Sequence, residues 1–342
     1  MCFADIRGFL EAASRIPHSR RPARCAVAEA HSRGDSGEGC GKVFKGEGGI
    51  TKGDSVITPV SIIEELLFTT VRIVAEEESG TERVGTGFFF DATVDQTRIL
   101  PLIVTNKHVV QNARTGRFQL HEADDSGPQL RPLGRSFEIP LSNFESYWVG
   151  HPDASVDLCA MPFEPIQEQA EASGRRIFRR AFNESLILPE SKLAELNAAE
   201  DILMVGYPIG LWDKTNNLPL IRRGVTASHP AVDFNGRPVF VIDAACFPGS
   251  SGSPVVLANI GLLYDKKLGA FGVGIRYALL GVLYAGPQMM AEGEIAVKPI
   301  PTKVMPIAQT PLMIHLGYVI KDREILTLAC DIVQEAKRQG RL

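Results

Sequence analysis

From about residue 56 onward, short runs of apolar, β-branched and aromatic residues alternate with clusters of Gly, Pro, Asn and Asp. This pattern is typical of β-strands bounded by turns. It predicts eleven strands, near residues 67–76, 83–91, 99–105, 117–122, 156–161, 178–188, 202–207, 219–227, 238–243, 254–258 and 278–284. Because no helices alternate with these strands, the pattern favours an all-β sandwich or barrel over a sheet built from βαβ units.

A few segments depart from the strand pattern. Ser61 and Glu64 have the spacing of a capping box, which predicts a short helix before the first strand. Asp322 can cap a helix over about 322–338 whose apolar residues share one face, namely Ile325, Leu328, Ala329, Ile332, Val333 and Ala336. We expect that face to dock on the body of the protein. The Glu-, Gln- and Ala-rich stretch 165–174 separates two groups of strands and is expected to be a linker.

Residues 1–55 differ from the rest because Arg, Ser and Gly are abundant and apolar periodicity is weak. We expect a flexible, disordered tail. Its glycine-rich part does not match a phosphate-binding loop, since Ser36 occupies the first glycine position and Val43 stands where Ser or Thr would bind Mg²⁺.

Composition and charge narrow the class of protein. With 44% hydrophobic and 22% charged residues, the chain has the composition of a folded globular protein. Its formal net charge of −4 gives no electrostatic reason to expect a nucleic-acid or membrane partner. No apolar run is long enough to span a bilayer, and no secretory signal is visible. Six cysteines without a CxxC pair predict mostly free thiols and no metal site, so we expect a cytoplasmic protein.

The strongest chemical signal lies in residues 244–257, where Pro, Gly and three serines interrupt two apolar strands. A turn of this kind presents backbone N–H groups beside a hydroxyl, which is what acyl transfer requires. The pattern alone does not choose among Ser250, Ser251 and Ser253.

A nucleophilic serine needs a base, and His108 directly follows an apolar strand. Asp157 lies at the mouth of another apolar strand, where a histidine N–H is one partner that would justify a buried carboxylate. Asp153 is the nearest alternative to Asp157. Together, the three segments point to a hydroxyl, an imidazole and a carboxylate acting as one site.

These segments resemble the motifs of chymotrypsin-fold serine proteases, and most closely those of HtrA-type and related bacterial trypsin-like domains. They read IVTNKHVV (103–110), VDLCAM (156–161) and DAACFPGSSGSPVV (243–256), in the chain order His, Asp, Ser. VGTGFFF (84–90), GYPIGL (206–211) and RGVTA (223–227) resemble three further segments in the same order. The resemblance implies one protease domain over 56–340. It would comprise antiparallel β-barrels at about 65–165 and 175–290 and the C-terminal helix.

The resemblance also implies roles for single residues in a serine endopeptidase. Ser251 would be the nucleophile, His108 the general base and then acid, and Asp157 the group that orients His108. The backbone N–H groups of Gly249 and Ser251 would form the oxyanion hole. The implied partner is a peptide or protein substrate, and no metal or organic cofactor is needed.

Some positions depart from the family pattern. Ser250 replaces an aspartate that pairs with a newly cut N-terminus in digestive zymogens, so that activation switch is not expected. Ala245 lies at the base of the implied specificity pocket and carries no charge, which predicts small or medium apolar side chains at the cleaved position. Tyr284, Ala285 and Gly286 are expected to form the pocket edge that pairs with the substrate. Too few residues follow position 290 for a peptide-binding PDZ domain, so regulation by such a domain is not expected.

Two alternatives stay open at this stage. Phe247 replaces a residue that is often polar, and either its ring or the tail could block the cleft. With a blocked cleft, the chain would be a catalytically weak or inactive binding or scaffold protein with the protease fold. The cluster of Arg175, Arg176, Arg179 and Arg180 around Phe178 could instead bind RNA or an acidic partner, although a solvated strand explains it more simply.

Overall fold

The structure is a computed structural model that describes residues 57–267, 269–286, 288–294 and 307–342. The expected tail, 1–55, lies outside these ranges. The first half is a nine-stranded sheet with the path β5-β4-β1-β2-β3-β7-β6, to which β8 and β9 attach through β4 and β2. Its strands are β1 (Thr70–Glu77), β2 (Glu82–Thr93), β3 (Ile99–Thr105), β4 (Ala113–Asp124), β5 (Arg131–Ser142), β6 (Val149–Gly150), β7 (Cys159–Pro162), β8 (Ile177–Phe178) and β9 (Phe182–Asn183).

The second half is a closed six-stranded barrel with the order β10-β11-β12-β17-β14-β13. A separate hairpin, β15 with β16, lies in sequence between its last two strands. The strands are β10 (Asp201–Gly206), β11 (Leu220–Thr226), β12 (Val239–Asp243), β13 (Pro254–Asp265), β14 (Ala270–Ala285), β15 (Gln288–Glu294), β16 (Ile307–Met313) and β17 (Leu316–Lys321). The predicted all-β, two-part architecture is therefore confirmed.

Helices are few and mostly short. They are α1 (Ile62–Glu65), α2 (Lys107–Val110), α3 (Glu164–Ala172), α4 (Glu190–Leu193) and α5 (Asp322–Arg338). The capping box before α1 is present as predicted, because the Ser61 hydroxyl accepts from the N–H of Glu64 and the Glu64 carboxylate accepts from the N–H of Ser61. The C-terminal helix is likewise confirmed.

Three large apolar cores and one small cluster, Phe68 with Ala123 and Phe178, hold these elements together. One lies inside the first sheet and includes Phe89 and Ile103, and another fills the second barrel. The third joins the two halves and includes Phe88 and Phe90 with buried residues of β10, β13 and α5. Successive side chains of a strand point to opposite faces, so β2 supplies Phe89 to one core and its two neighbours to another. The inter-half core is what fixes the position of the site.

Helix α5 completes the inter-half core. All six apolar residues predicted to dock are buried, namely Ile325, Leu328, Ala329, Ile332, Val333 and Ala336. Asp322, however, is the first residue of the helix and does not cap it; the N-cap residue is Lys321, which makes no side-chain capping bond. The Asp322 side chain is buried, and this burial raises its pKa to about 7.

The stretch 165–174 is mainly helical, which corrects the prediction of a linker. Glu, Gln and Ala favour helix formation, and Pro165 lies at the start of α3, where proline is tolerated. Ile166 and Ala170, four residues apart, are buried against the core of the first sheet. The composition that suggested a linker is thus that of an amphipathic helix.

The second barrel also differs from its predicted limits. It extends to β17, past residue 290, and β17 closes it by pairing with β12 and β14. The predicted strand at 178–188 is instead two short strands, β8 and β9, which pair with the first sheet. Both differences arise from long-range pairing, which a local pattern does not report.

Strands β13 and β14 are longer than predicted because they continue as a hairpin beyond the barrel. Opposite pairs on one face of this hairpin are exposed and apolar: Ile260 with Ile275, Leu262 with Val273, and Tyr264 with Phe271. Glycines at 261, 272 and 274 give this part of the sequence a turn-like composition. The two predicted strands, 254–258 and 278–284, therefore do not extend into the glycine-containing part of the hairpin.

The three cysteines in the described ranges, Cys159, Cys246 and Cys330, are free thiols. Among the residues that the structure describes, no helix has the length and apolar character needed to cross a membrane.

Candidate active site

His108 and Asp157 are in direct contact. The His108 ring Nδ1 lies 2.5 Å from Asp157 Oδ2, and the backbone N–H of His108 donates to Asp157 Oδ1 at 3.2 Å. An ionised carboxylate only accepts hydrogen bonds, so Nδ1 carries the proton in this pair and Nε2 is left as an acceptor. The arrangement leaves the other ring nitrogen, Nε2, without a hydrogen bond among the described residues.

Local structure explains how His108 is presented. Strand β3 ends at Thr105, and the extended residue Asn106 begins the single turn α2. Val109 and Val110 of that turn are buried, which leaves the His108 side chain 46% exposed. The Asn106 amide donates to the backbone carbonyl of Asp157 at 2.8 Å, so the two segments are joined through both backbone and side chain.

The structure distinguishes Asp157 from its alternative, Asp153. The Asp153 carboxylate is occupied by the Ser155 N–H and hydroxyl, both at 2.8 Å, and makes no contact with His108. Lys107 of α2 donates to the backbone carbonyls of His151 and Asp153 at 3.4 and 3.3 Å. These bonds hold the segment that precedes Asp157 against α2. Only Asp157 is brought to the histidine.

The three serines of residues 250–253 have different environments. Ser250 and Ser253 are fully buried. The Ser250 hydroxyl accepts from Arg222 Nη2 at 2.9 Å, and that of Ser253 lies 3.4 Å from the Thr86 hydroxyl. Ser251 is only partly buried, and within the described ranges its hydroxyl makes no hydrogen bond. Ser251 is therefore the least buried of the three serines.

The backbone around Ser251 presents a pair of free donors. The N–H of Ser250 donates to the Phe247 carbonyl at 3.0 Å, and that of Gly252 to the Leu283 carbonyl at 2.8 Å. The N–H groups of Gly249 and Ser251 have no acceptor in the part of the chain that the structure describes. Gly249 has φ +85°, a conformation that glycine adopts readily. The two predicted oxyanion donors are thus free to bind an external acceptor.

Thr86 of β2 connects the serine loop with the segment that leads to His108. Its N–H donates to the Ser251 carbonyl at 2.9 Å, and its own carbonyl accepts from the Thr105 hydroxyl at 2.7 Å. Gly252 packs directly over this point, since a Cβ there would overlap the Thr86 carbonyl oxygen and lie 2.5 Å from the Thr105 hydroxyl. The loop from the second barrel therefore rests on the end of β3, three residues before His108.

Strand β14 also reaches the site. Burial raises the pKa of Tyr284, and the negative charge of Asp157 adds to this effect. The predicted edge residues Tyr284, Ala285 and Gly286 are each partly exposed. Ala285 pairs with Tyr318 of β17, and a Cβ on Gly286 would lie 3.0 Å from the Leu316 carbonyl.

Several contacts around the predicted pocket are not visible in the sequence. Cys246 is buried and faces Gly317, where an added Cβ would lie 2.6 Å from its sulfur. Phe247 packs edge-on against His315, with ring centres 5.9 Å apart. Arg222 donates to the carbonyl of Ala245. A glycine just inside β17 is the one sequence signal for this neighbourhood, since it marks close backbone or side-chain approach.

The arginine cluster makes contacts within its own chain. Arg176, Arg179 and Arg180 pair with Asp125, Asp91 and Glu65 at 2.9, 2.9 and 3.3 Å. Arg175 lies over the ring of Phe137, 5.0 Å from its centre. Within the described ranges, no group of three or more His, Cys, Asp or Glu side chains could hold a metal ion.

Comparison with known proteins adds a family match. A family model described as "Trypsin-like peptidase domain" matches residues 85–263, more than half of the chain. No curated protein matches. Similar solved structures include the Rv3671c protease of M. tuberculosis in its active form, at 16% identity and TM-score 0.39, covering 79% of this chain and 83% of that chain. Catalytically active tobacco etch virus protease in complex with product is similar at 16% identity and TM-score 0.37, with 69% and 75% covered.

Proposed function

The chain belongs to the family of trypsin-like peptidase domains, and we propose that it is a serine endopeptidase that hydrolyses peptide bonds through Ser251, His108 and Asp157. Peptidase character follows from the family. The serine mechanism and the roles of the three residues are the proposal.

In the proposed reaction, Ser251 Oγ attacks the carbonyl carbon of the scissile peptide while His108 Nε2 takes the hydroxyl proton. The carbonyl oxygen becomes an oxyanion that accepts from the N–H groups of Gly249 and Ser251. His108 then gives its proton to the departing amine, which leaves an ester on Ser251. Water, deprotonated by His108, attacks this ester, the bond to Ser251 Oγ breaks as His108 returns the proton to that oxygen, and the acid product is released.

The observation that carries the proposal is the 2.5 Å contact between the His108 ring and Asp157. It orients the ring and favours the imidazolium that forms during proton transfer. The site also offers an open hydroxyl and two unoccupied backbone donors on the neighbouring loop. These are the parts that acyl transfer to a serine requires.

A cysteine mechanism is disfavoured by the thiols near the site. Burial raises the pKa of Cys246 to about 11 and that of Cys159 well above its usual range. A nucleophilic cysteine needs a lowered pKa and access to the substrate. Serine at position 251 is therefore the better candidate.

The proposed substrate is an extended peptide. Strand β14 pairs with β13 only as far as Val282, whereas its pairing with β17 continues to Ala285. One edge at 284–286 is therefore without a strand partner among the described residues and could accept a substrate strand. The uncharged Ala245, whose neighbour in the chain Cys246 packs against Gly317, supports a preference for small or medium apolar side chains at the cleaved position.

The experiment is digestion of a mixed peptide library, with products identified by mass spectrometry. We expect wild type to cleave and Ser251→Ala to lose about 10⁶ in kcat. Ser253→Ala is the matched control, because it removes a buried hydroxyl from the same loop and should retain most activity. If folded wild type cleaves nothing, or cleaves as fast as Ser251→Ala, the serine peptidase proposal fails and a protease-fold binding protein becomes the better reading.

A further inference from the structure

Arg222 holds the segment that carries the two free amides. It lies on β11 directly opposite Met204 of β10, and Met204 is fully buried in the barrel core. Residues directly opposite on neighbouring strands project to the same face, so Arg222 extends from the inner side of the barrel. Its Nη2 donates to the Ser250 hydroxyl at 2.9 Å, and its Nη1 donates to the Ala245 carbonyl.

One guanidinium thus ties together two residues on either side of 246–249. Ser250 is fully buried, and burial lowers the pKa of Arg222. Hydrogen bonds from a charged donor are roughly twice as strong as those between neutral groups, and a low local dielectric strengthens them further. The two acceptors, the Ala245 carbonyl and the Ser250 hydroxyl, are neutral. The charge in these hydrogen bonds therefore comes from Arg222 on strand β11 of the barrel.

The position of Ser250 in the chain explains why its contact with Arg222 affects the two free amides. Ser250 lies between Gly249 and Ser251, the residues whose N–H groups are free. Gly249 is glycine with φ +85°, so rotation of its peptide is opposed only by what surrounds it. Anchoring the Ser250 side chain from inside the barrel restricts that rotation. The Ile209 N–H also donates to the Pro248 carbonyl at 2.6 Å, and the Thr86 hydroxyl donates to the Gly249 carbonyl at 3.1 Å. Arg222 adds to these the restraint on the Ser250 side chain.

We propose that Arg222 is the positioning residue for the oxyanion-binding amides. It holds Ala245 and Ser250 so that the N–H groups of Gly249 and Ser251 point to a common acceptor. Because the cation is built into strand β11, the site is ordered without a newly cut N-terminus. This inference rests on the proposed function, since it concerns the amides that would bind the oxyanion.

The test compares Arg222→Met, Arg222→Lys and Ser250→Ala with Arg223→Met. Arg223 is the matched control, because it is next in the chain, its side chain is 72% exposed, and it pairs with Asp201 at the surface. Each protein is titrated with a fluorophosphonate so that kcat is expressed per active serine, and kcat, KM and the melting temperature are measured. A structural role alone would lower the melting temperature and leave kcat per active serine unchanged.

We expect Arg222→Met to lose about 10² in kcat, the scale of losing one oxyanion donor, with a much smaller change in KM. Arg222→Lys should recover part of this loss, Ser250→Ala should lose about tenfold, and Arg223→Met should match wild type. Wild-type kcat in folded Arg222→Met overturns the inference. If that variant does not fold, wild-type kcat in both Arg222→Lys and Ser250→Ala overturns it. Inactive wild type would reject the proposed function itself, which separates the two failures.

Discussion

The two halves of the protein hold their parts of the candidate site in different ways. In the first half, His108 and Asp157 are joined by their own side chains, and Asn106 adds a bond between the same two segments. In the second half, Ser251 has no such side-chain partner among the described residues. Its loop is fixed by backbone hydrogen bonds, by two glycines with φ +85° and by Arg222.

Because of this difference, we expect some substitutions to affect mainly the reaction and others to affect mainly the stability of the fold. A change at Asp157 removes a contact with the exposed ring of His108 and should alter the reaction more than the fold. A change at Gly252 disturbs the contact between the halves and should alter the fold first. Matched substitutions in the two halves test whether the two kinds of effect are separate.

The largest effect is expected from Asp157→Asn. Asparagine keeps the size of the side chain but removes the charge that holds the His108 proton on Nδ1, so kcat should fall by about 10⁴. The melting temperature should change little, because the Asp157 side chain is partly exposed. Steady-state kinetics and thermal unfolding of the same samples check both statements.

Asp153→Asn is the control for this substitution. It makes the same chemical change nearby, at a carboxylate that contacts Ser155 and not His108. Its kcat should stay within about twofold of wild type. Equal losses in the two variants would contradict the assignment of Asp157.

The next effect concerns stability and compares Gly252→Ala with Gly236→Ala. Both glycines have positive φ, at +85° and +70°, so alanine is strained at either position. A Cβ at Gly236 meets no atom within 4 Å, whereas at Gly252 it overlaps the Thr86 carbonyl. The free energy of unfolding should fall by about 1 kcal/mol for Gly236→Ala and by about 3 kcal/mol or more for Gly252→Ala.

Urea unfolding followed by the fluorescence of Trp148 and Trp212 measures this difference. Equal destabilisation of the two variants would show that backbone strain alone accounts for the effect. The contact of the serine loop with Thr86 would then not be the constraint that joins the halves.

The smallest effect is a pH dependence, because each half contains one buried carboxyl group whose pKa burial raises, Glu164 or Asp322. Burial raises the pKa of Glu164 from 4.5 to about 7. The neutral form is thus favoured in the folded state, and the stability from this group is full below about pH 4.5 and is lost as pH rises through about 7. Glu164→Gln stays neutral at every pH, so its stability relative to wild type should increase between pH 4 and pH 8 by at most about 3 kcal/mol.

Thermal unfolding across this pH range provides the measurement, with the exposed Glu171→Gln on the same helix as control. A constant difference between Glu164→Gln and wild type would mean that burial does not hold Glu164 neutral. A difference that shrinks as pH rises would contradict the sign of the argument.

The sequence predicts the first-half part of the site better than the second-half part. The motif around His108 lies at a strand end, and that position already implies an exposed ring beside a neighbouring strand. Most strands were found because apolar residues and turn residues alternate along the chain. The confirmed α5 was found because its apolar residues repeat with helical spacing.

The features that sequence reasoning missed depend on contacts between distant segments. Arg222 looks like one of two arginines on an ordinary strand, and only the register with Met204 shows that it enters the barrel. Strand β17 closes the barrel through pairing with β12 and β14, which no local pattern encodes. Helix α3 was predicted as a linker because its composition was considered without the spacing of Ile166 and Ala170. The choice of Ser251 over Ser250 and Ser253 needed the family resemblance, since burial of the other two is not visible in their identical side chains.

The central claim is that Ser251 is the activated nucleophile of the site, and active-site labelling tests it most directly. Wild type, Ser251→Ala and His108→Ala are treated with a fluorophosphonate and digested, and the modified peptide is located by mass spectrometry. We expect a single adduct on Ser251 in wild type, none in Ser251→Ala, and strongly slowed labelling in His108→Ala. An adduct on another residue, or no adduct on Ser251 in folded wild type, would contradict the account.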